Sequence, residues 1–105
     1  MGDSDRKSVI VSIDRNGRVD IDIPAISGFD GFDKLRRYLQ NEHGAVIKDC
    51  IEAPDACRCV FTLKGVDFIL DYDDPYGNSI QSVGPDINHQ VESIGRDLER
   101  RLKDL

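Results

Sequence analysis

The sequence predicts an α+β domain of order ββαββββα, in which an antiparallel sheet carries two helices packed on one face. A hairpin pattern opens the chain, and four strand-like segments follow one another through short turns between residues 45 and 83. Two further segments carry apolar residues at helical spacing on one side only. Strands joined by short turns pair antiparallel, and each helix has a single apolar side to bury. The simplest arrangement therefore packs both helices on the same face of the sheet.

The first hairpin is predicted over residues 9–23, and the register of its strands decides the turn. A two-residue loop would oppose Ile13 with Asp20 and mix acids with aliphatics on one face. A three-residue loop ending at Gly17 instead opposes Ile13 with Val19 and collects the aliphatic side chains of both strands on one face. We therefore expect a type I turn with Gly17 in the left-handed bulge position.

Both helices have start and stop signals. The first is predicted over residues 31–43, where Asp30 can cap the N-terminus and Gly44 follows as a stop. The second is predicted from about residue 87 to residue 102, with Asp86 before it as a cap. Its continuous apolar stripe consists of Ile87, Val91, Ile94, Leu98 and Leu102.

The central strands have a register that the turn between them sets. A tight turn at residues 64–65 opposes Phe61 with Phe68 on the inner face and Arg58 with Asp71 on the outer face. A last strand is expected over residues 78–83. Alternation along residues 45–52 predicts the inward side chains Ala45, Ile47 and Ile51.

Length and charge narrow the class of protein. A chain of 105 residues is one domain, and we expect a disordered N-terminus over residues 1–7 and a single α+β domain over residues 8–105. The 14 Lys and Arg against 20 Asp and Glu argue against nucleic acid, because neutralising phosphates needs a basic excess. No apolar run reaches the roughly 18 residues of a membrane span, and the chain does not start like a signal peptide. We expect a cytoplasmic location, with neither nucleic acid nor membrane as a partner.

The cysteines are predicted to be thiols. Cys50, Cys57 and Cys59 cannot all pair within the chain, and an odd number favours a reducing compartment. Zinc-binding turns usually place about two to four residues between their cysteines, whereas Cys57 and Cys59 are separated by one. By alternation these two lie beside Phe61 inside a strand, and Cys50 points outward, away from them. We expect buried thiols that pack as small hydrophobes. The alternative is a metal or redox role for these cysteines, in which His43, upstream of them, could take part.

Catalytic and metal-binding patterns are weak. Taken as a calcium loop, residues 71–82 lack the oxygen ligand, the glycine and the glutamate that such a loop needs. A magnesium-dependent hydrolase could hold its metal with Asp73 and Asp74, but adjacent residues on a strand point to opposite faces. We interpret His43 and His89 as solvated helix residues, and we expect no enzyme activity, no metal and no cofactor.

Residues 65–95, here called the acidic segment, concentrate the negative charge because they contain acids without any Lys or Arg. A turn explains the proline and glycine near residue 75, but not the acids and tyrosines that gather there. Tyr76 is the better anchor because a tight turn presents it, whereas register can turn Tyr72 inward. The predicted partner-binding residues are Asp67, Asp71, Asp73, Asp74, Tyr76, Asp86 and Tyr72.

A second candidate surface is the outer face of the central strands. Val46, Val60 and Ile69, here called the apolar strip, would stand there with charged and polar neighbours. Such residues are often only good strand formers, but an apolar strip with a charged rim is also typical of a protein-binding face. The rim residues are Lys48, Arg58, Thr62, Asp67 and Asp71.

Residues 65–80, Gly-Val-Asp-Phe-Ile-Leu-Asp-Tyr-Asp-Asp-Pro-Tyr-Gly-Asn-Ser-Ile, and the small acidic α+β plan resemble the immunity proteins of bacterial polymorphic-toxin and contact-dependent growth inhibition systems. The resemblance implies a non-enzymatic inhibitor that binds and neutralises a cognate basic toxin, often a nuclease. An acidic surface would mimic nucleic-acid charge and speed the encounter. The alternative is a secretion chaperone or adaptor-type module that uses the outer sheet face. We expect a monomer or a weak homodimer.

Overall fold

The computed structural model describes residues 8–73 and 77–102. Its elements are β1 (Ile10–Ile13), β2 (Val19–Asp22), α1 (Gly28–His43), β3 (Val46–Ala53), β4 (Ala56–Leu63), β5 (Val66–Asp73), β6 (Gly77–Ser82) and α2 (Gln90–Leu102). The strands form one antiparallel sheet in the spatial order β1-β2-β6-β5-β4-β3, and both helices pack on it. This confirms the predicted class and element order. The predicted disorder of residues 1–7 lies outside the described residues.

The first hairpin has the predicted register. Ile13 opposes Val19, and Gly17 has a φ of 84°, the left-handed conformation that the three-residue loop requires. The Oδ1 atom of Asp14 accepts hydrogen bonds from the backbone N–H groups of Asn16 and Arg18, at 2.8 and 3.0 Å. The turn therefore holds Val11, Ile13, Val19 and Ile21 on one face, as predicted.

One side of the sheet and the apolar sides of both helices form the core. The rings of Phe61 and Phe68, which oppose each other on β4 and β5, stack with centroids 5.4 Å apart. On α2, Gly95 allows a close approach, because a Cβ atom there would lie 2.9 Å from Cγ2 of Val11. The buried helix side chains are Phe32, Leu35 and Leu39 of α1 and Val91, Ile94 and Leu98 of α2. Within the described ranges, no helix is long and apolar enough to cross a membrane.

Strand β3 differs from its predicted pattern. A bulge between Ile47 and Asp49 shifts the register against β4, so the residues after it face the opposite way from simple alternation. Ala45 is buried and Ile47 is half-buried, as predicted, but Ile51 is 63% exposed and faces away from the helices. The prediction that Ile51 points inward was therefore wrong.

The start of α2 is one turn later than predicted. Residues 87–89 are assigned as a 3-10 turn, but Asn88 and His89 have φ angles of 64° and 58°, outside the right-handed helical region, so the α-helix begins only at Gln90. Ile87, predicted to open the apolar stripe, is 63% exposed. Asp86 nevertheless caps the helix, because its two carboxylate oxygens accept hydrogen bonds from the N–H groups of Val91 and Glu92, both at 2.8 Å.

Removing this cap should destabilise the domain. We expect Asp86→Ala to lower the free energy of unfolding by about 1–2 kcal/mol, because it leaves two N–H groups at the start of α2 without their acceptor. Asp86→Asn should lose less, because its amide oxygen can still accept one of the two bonds. Urea unfolding followed by circular dichroism measures both, and equal stability of wild type and Asp86→Ala would show that the cap is not required.

Candidate functional site

The face of the sheet opposite the helices, here called the open face, is not covered by any element in the part of the chain that the structure describes. Alternation and register place on it side chains from all six strands. They are Ile10, Ser12, Asp20, Asp22, Val46, Asp49, Ile51, Arg58, Val60, Thr62, Asp67, Ile69, Asp71, Asp73, Ser79 and Gln81. This open face is the candidate site.

The apolar strip lies on the open face together with its predicted rim. Val60 and Ile69 oppose each other at the centre of the sheet and are half-buried by their neighbours. Val46, on the edge strand, is 60% exposed. The bulge adds Ile51, which sequence alternation had placed on the other face. Aliphatic surface therefore continues from the centre of the sheet to its β3 edge.

Asp67 and Asp71 lie on the open face as predicted, but each has a basic partner. The Nζ atom of Lys48 lies 2.9 Å from Oδ2 of Asp67, and Nη2 of Arg58 lies 3.1 Å from Oδ2 of Asp71. Hydrogen bonds from Lys48 and then from Thr62 lower the pKa of Asp67. The acidic segment has no base of its own in sequence, but strands β3 and β4 bring two bases to it in space.

The other predicted site residues divide into three groups. Asp73 lies on the open face, is exposed and makes no ion pair within the described residues. Tyr72 is partly buried on the helix side of the sheet, and Asp86 is buried with its carboxylate engaged in capping α2. The structure therefore does not bring Tyr72 and Asp86 together with the acids of the open face. Asp74 and Tyr76 lie outside the described residues.

Sequence reasoning missed Asp20 and Asp22. Both lie on the open face of β2, and neither has an ion-pair partner in the described part of the chain. Partial burial, followed by the charge of Asp22, raises the pKa of Asp20. The signal was present, because the alternation that places Val19 and Ile21 inward places Asp20 and Asp22 outward.

Pairing between β2 and β6 connects these two acids to the acidic segment. Asp22 opposes Ser79, and Ser79 opposes Asp71, so one row across the sheet carries two carboxylates separated by a serine. Adjacent strands lie about 4.8 Å apart, which places these two backbones about 10 Å apart. The open-face acids without an ion pair among the described residues are Asp20, Asp22, Asp49 and Asp73. Asp20 and Asp22, two residues apart on the same face of β2, are the pair that one basic side chain from a partner could approach together.

A second polar cluster joins the C-terminal ends of the helices. The Tyr38 hydroxyl donates to Oδ2 of Asp97 at 2.6 Å and lies 2.7 Å from Nε2 of His43. Nε of Arg101 donates to the same carboxylate oxygen at 2.8 Å, and Arg100 binds the other oxygen. His43 is thus held between α1 and α2, and its interpretation as a solvated residue was wrong, whereas His89 is exposed as expected.

This cluster borders an open groove of about 710 Å³, but its charges satisfy one another. Burial by itself would raise the pKa of Asp97, but the hydrogen bonds from Tyr38 and Arg101 outweigh it and lower that pKa. Burial, and then the bond to Asp97, raise the pKa of Tyr38. Tyr38 therefore remains protonated and serves as a hydrogen-bond donor, so we interpret the cluster as a connection between the two helices.

Two of the three cysteines differ from their prediction, whereas Cys57 is a buried thiol as predicted. Cys50 and Cys59 oppose each other on β3 and β4 and form a disulfide. The bulge in β3 turns Cys50 to the same face as Cys59, so the expectation that it points away was wrong. Within residues 8–73 and 77–102, no three His, Cys, Asp or Glu side chains are grouped to hold a metal ion.

Comparisons with protein-family models, with curated proteins and with solved structures return no match. The functional inference therefore depends on the geometry of this chain.

The acid pair on β2 gives a stability test of the open face. The raised pKa of Asp20 means that the folded protein favours the protonated form of this carboxyl group over the charged form. The stability that protonated Asp20 contributes is therefore lost as pH rises through that pKa. At neutral pH we expect Asp20→Asn to raise Tm, by only a few degrees because solvent screens the pair. Asp55→Asn, at an exposed turn, is the matched control and should leave Tm unchanged. A lower Tm for Asp20→Asn would contradict this reading of the pair.

The helix-joining cluster predicts a pH dependence of opposite sign. Since the pKa of Asp97 is below its ordinary value of 3.8, its charge stabilises the fold above that pH, and the contribution is lost as pH falls further. We expect Asp97→Asn to be less stable than wild type at pH 7 and to lose less stability on acidification. Urea unfolding at neutral and acidic pH tests this. Parallel pH profiles for the two proteins would show that Asp97 carries no such linkage.

Proposed function

We propose that this protein is a non-enzymatic binding protein that uses the open face to bind a basic protein partner, and that it serves as an immunity protein that neutralises a cognate toxin. The observation that supports this most is the pair of acids on β2. Asp20 and Asp22 stand side by side on an uncovered face, without a basic partner among the described residues. Like charges held together in this way favour the binding of a cation from outside.

The arrangement of charge and apolar surface suits a protein partner. Interfaces commonly have an apolar centre with polar and charged residues around it. On the open face, Val60 and Ile69 occupy the centre, with acids on β2, β3 and β5 around them. The aliphatic residues would supply contact area, and the unpaired acids would supply attraction and orientation.

A nuclease toxin is the proposed partner because its active-site cleft must attract phosphates and is therefore basic. Carboxylates on a flat sheet can occupy such a cleft as a substitute for nucleic-acid charge. Long-range attraction of this kind raises the association rate and weakens with salt. We place this function in the cytoplasm, where an immunity protein would protect the cell that makes the toxin.

A second candidate function is a secretion chaperone or adaptor that binds its client through the apolar strip. The observation that favours it is the exposure of Val46 and Ile51, which extends aliphatic surface to the β3 edge. This alternative depends on the β3–β4 half of the open face, whereas the immunity proposal also requires the acids of β2. The two functions can therefore be separated by substitutions on opposite halves of one surface.

The protein encoded by the gene immediately upstream is the probe for the immunity proposal. We expect it to bind this chain in isothermal titration calorimetry and to bind more weakly as salt rises from low to physiological concentration. The double variant Asp20→Asn/Asp22→Asn should weaken binding about tenfold, which corresponds to about 1.4 kcal/mol. The control Asp55→Asn, which removes a carboxylate at an exposed turn away from β2, should bind as wild type does. No binding, or binding that neither salt nor the double variant alters, would overturn the proposal.

The apolar strip has its own test. We expect Val60→Lys and Ile69→Lys each to weaken binding of the same upstream protein at least tenfold, because each places a Lys where the partner covers the centre of the face. Circular dichroism and Tm would first establish that each variant folds. If either variant loses self-association in analytical ultracentrifugation but still binds the upstream protein with unchanged affinity, the chaperone or homodimer function is favoured instead.

A further inference from the structure

The second half of β3 projects beyond the helical layer. All residues of the segment 49–53 are exposed, and the strand packs mainly on its neighbour β4. The bulge after Ile47 separates this segment from the first part of the strand, which begins after the buried Ala45. Few buried contacts therefore hold residues 49–53 in place, and such segments open at lower free energy than the core.

The Cys50–Cys59 disulfide is the covalent link between this segment and the rest of the sheet. Its two residues have different environments, because Cys59 is 2% exposed in the core whereas Cys50 is exposed on the edge strand. Thiol–disulfide exchange requires a thiolate to reach one sulfur of the bond. Cys50 is the residue that solvent thiols can approach.

The third cysteine stays out of this exchange. Cys57 lies two residues before Cys59 and is 3% exposed. Burial, and then the negative charge of Glu52, raise the pKa of the Cys57 thiol. Because the thiolate is the attacking species, a buried thiol with a raised pKa is a poor nucleophile. The Cys57 thiol therefore does not readily attack the disulfide, and Cys50 stays paired with Cys59.

We propose that the Cys50–Cys59 bond is a redox switch that controls the order of the β3 edge. A small-molecule thiol of the glutathione class attacks Sγ of Cys50 as its thiolate, and the Cys59 thiolate leaves and takes up a proton. A second thiol attacks the mixed disulfide at the sulfur of the first thiol and releases Cys50, which is protonated in turn. The protein disulfide gains two electrons and two protons, and two small thiols become one disulfide.

Reduction would remove the covalent bond between residues 49–53 and β4 and leave the strand pairing to hold the segment. This segment carries Asp49 and Ile51 on the open face, so its release would change the β3 edge of that face. Disulfides in reducing compartments are commonly transient and redox-sensing, which is the behaviour that an exposed sulfur on an edge strand permits. The inference concerns the free protein and does not depend on the proposed immunity function.

Hydrogen–deuterium exchange of the protein alone tests the switch. In native buffer with millimolar reduced glutathione, we expect the amides of residues 49–53 to exchange at least tenfold faster than in the oxidised protein, while those of β5 and β6 keep their protection. The double variant Cys50→Ser/Cys59→Ser should exchange rapidly in both buffers. Cys57→Ser, the matched control, keeps the disulfide and should respond to glutathione as wild type does.

Thiol counting and exchange rates together decide the outcome. Before reduction we expect one reactive thiol per chain after denaturation, and three after reduction with glutathione under native conditions. Three thiols before reduction would show that the bond does not form, and one thiol after glutathione treatment would show that the bond is inaccessible in the folded protein. Reduction without faster exchange of residues 49–53 would show that the bond does not order the edge. Each of these results overturns the proposal.

Discussion

Pairing of β2 with β6 is the contact on which the rest of the structure depends. It joins the N-terminal hairpin to the meander of β3 to β6 and completes a six-stranded sheet. The backbone N–H of Ile23 donates to Asn78 at 3.1 Å, and the N–H of Val19 donates to the hydroxyl of the buried Ser82 at 2.8 Å. Without this pairing, α2 would have no continuous surface to cover, and the acids of β2 would not share one face with those of β5 across β6.

The same pairing explains why one surface combines the two candidate sites. An alternating strand has only two faces, and both helices cover one of them, so charged side chains must share the other face with whatever aliphatic residues remain. Asp67 and Asp71 are neutralised there by Lys48 and Arg58. Among the described residues, the remaining negative charge belongs to Asp73 and to three acids elsewhere in the sequence, Asp20, Asp22 and Asp49. The charge of the open face is therefore a property of the assembled sheet.

Local rules predicted most of the fold. Turn chemistry determined the registers around Gly17 and at residues 64–65. Apolar spacing located both helices, but α1 begins at Gly28, so Asp30, predicted to cap it, lies in its first turn instead. The bulge in β3 could not be predicted, because an inserted residue leaves no mark on alternation, and it reversed the expected directions of Cys50 and Ile51. The order of the strands could not be predicted either, because the pairing of β2 with β6 joins residues about 60 positions apart and depends on the whole core.

The candidate site was predictable only in part for the same reason. Asp67, Asp71 and Asp73 share a strand, so alternation alone placed them on one face. The sequence predicted Asp86 both as the cap of α2 and as a partner-binding acid, and the structure shows its carboxylate engaged in the cap. Grouping the acids by their position in the sequence therefore did not show which of them are available to a partner. The hydrogen bonds and ion pairs of the folded protein identify the available acids.

Methyl cross-saturation NMR tests the central claim most directly, because it identifies the side chains that lie against a bound protein. The chain would carry labelled Ile and Val methyl groups, and the protein encoded by the gene immediately upstream would be the saturated partner. The account predicts strong saturation transfer to Val60 and Ile69 and none to Ile87, which is 63% exposed beside α2 and serves as the internal control. Transfer to Ile87 with none to Val60 and Ile69 would place the interface on the helical side and contradict the account.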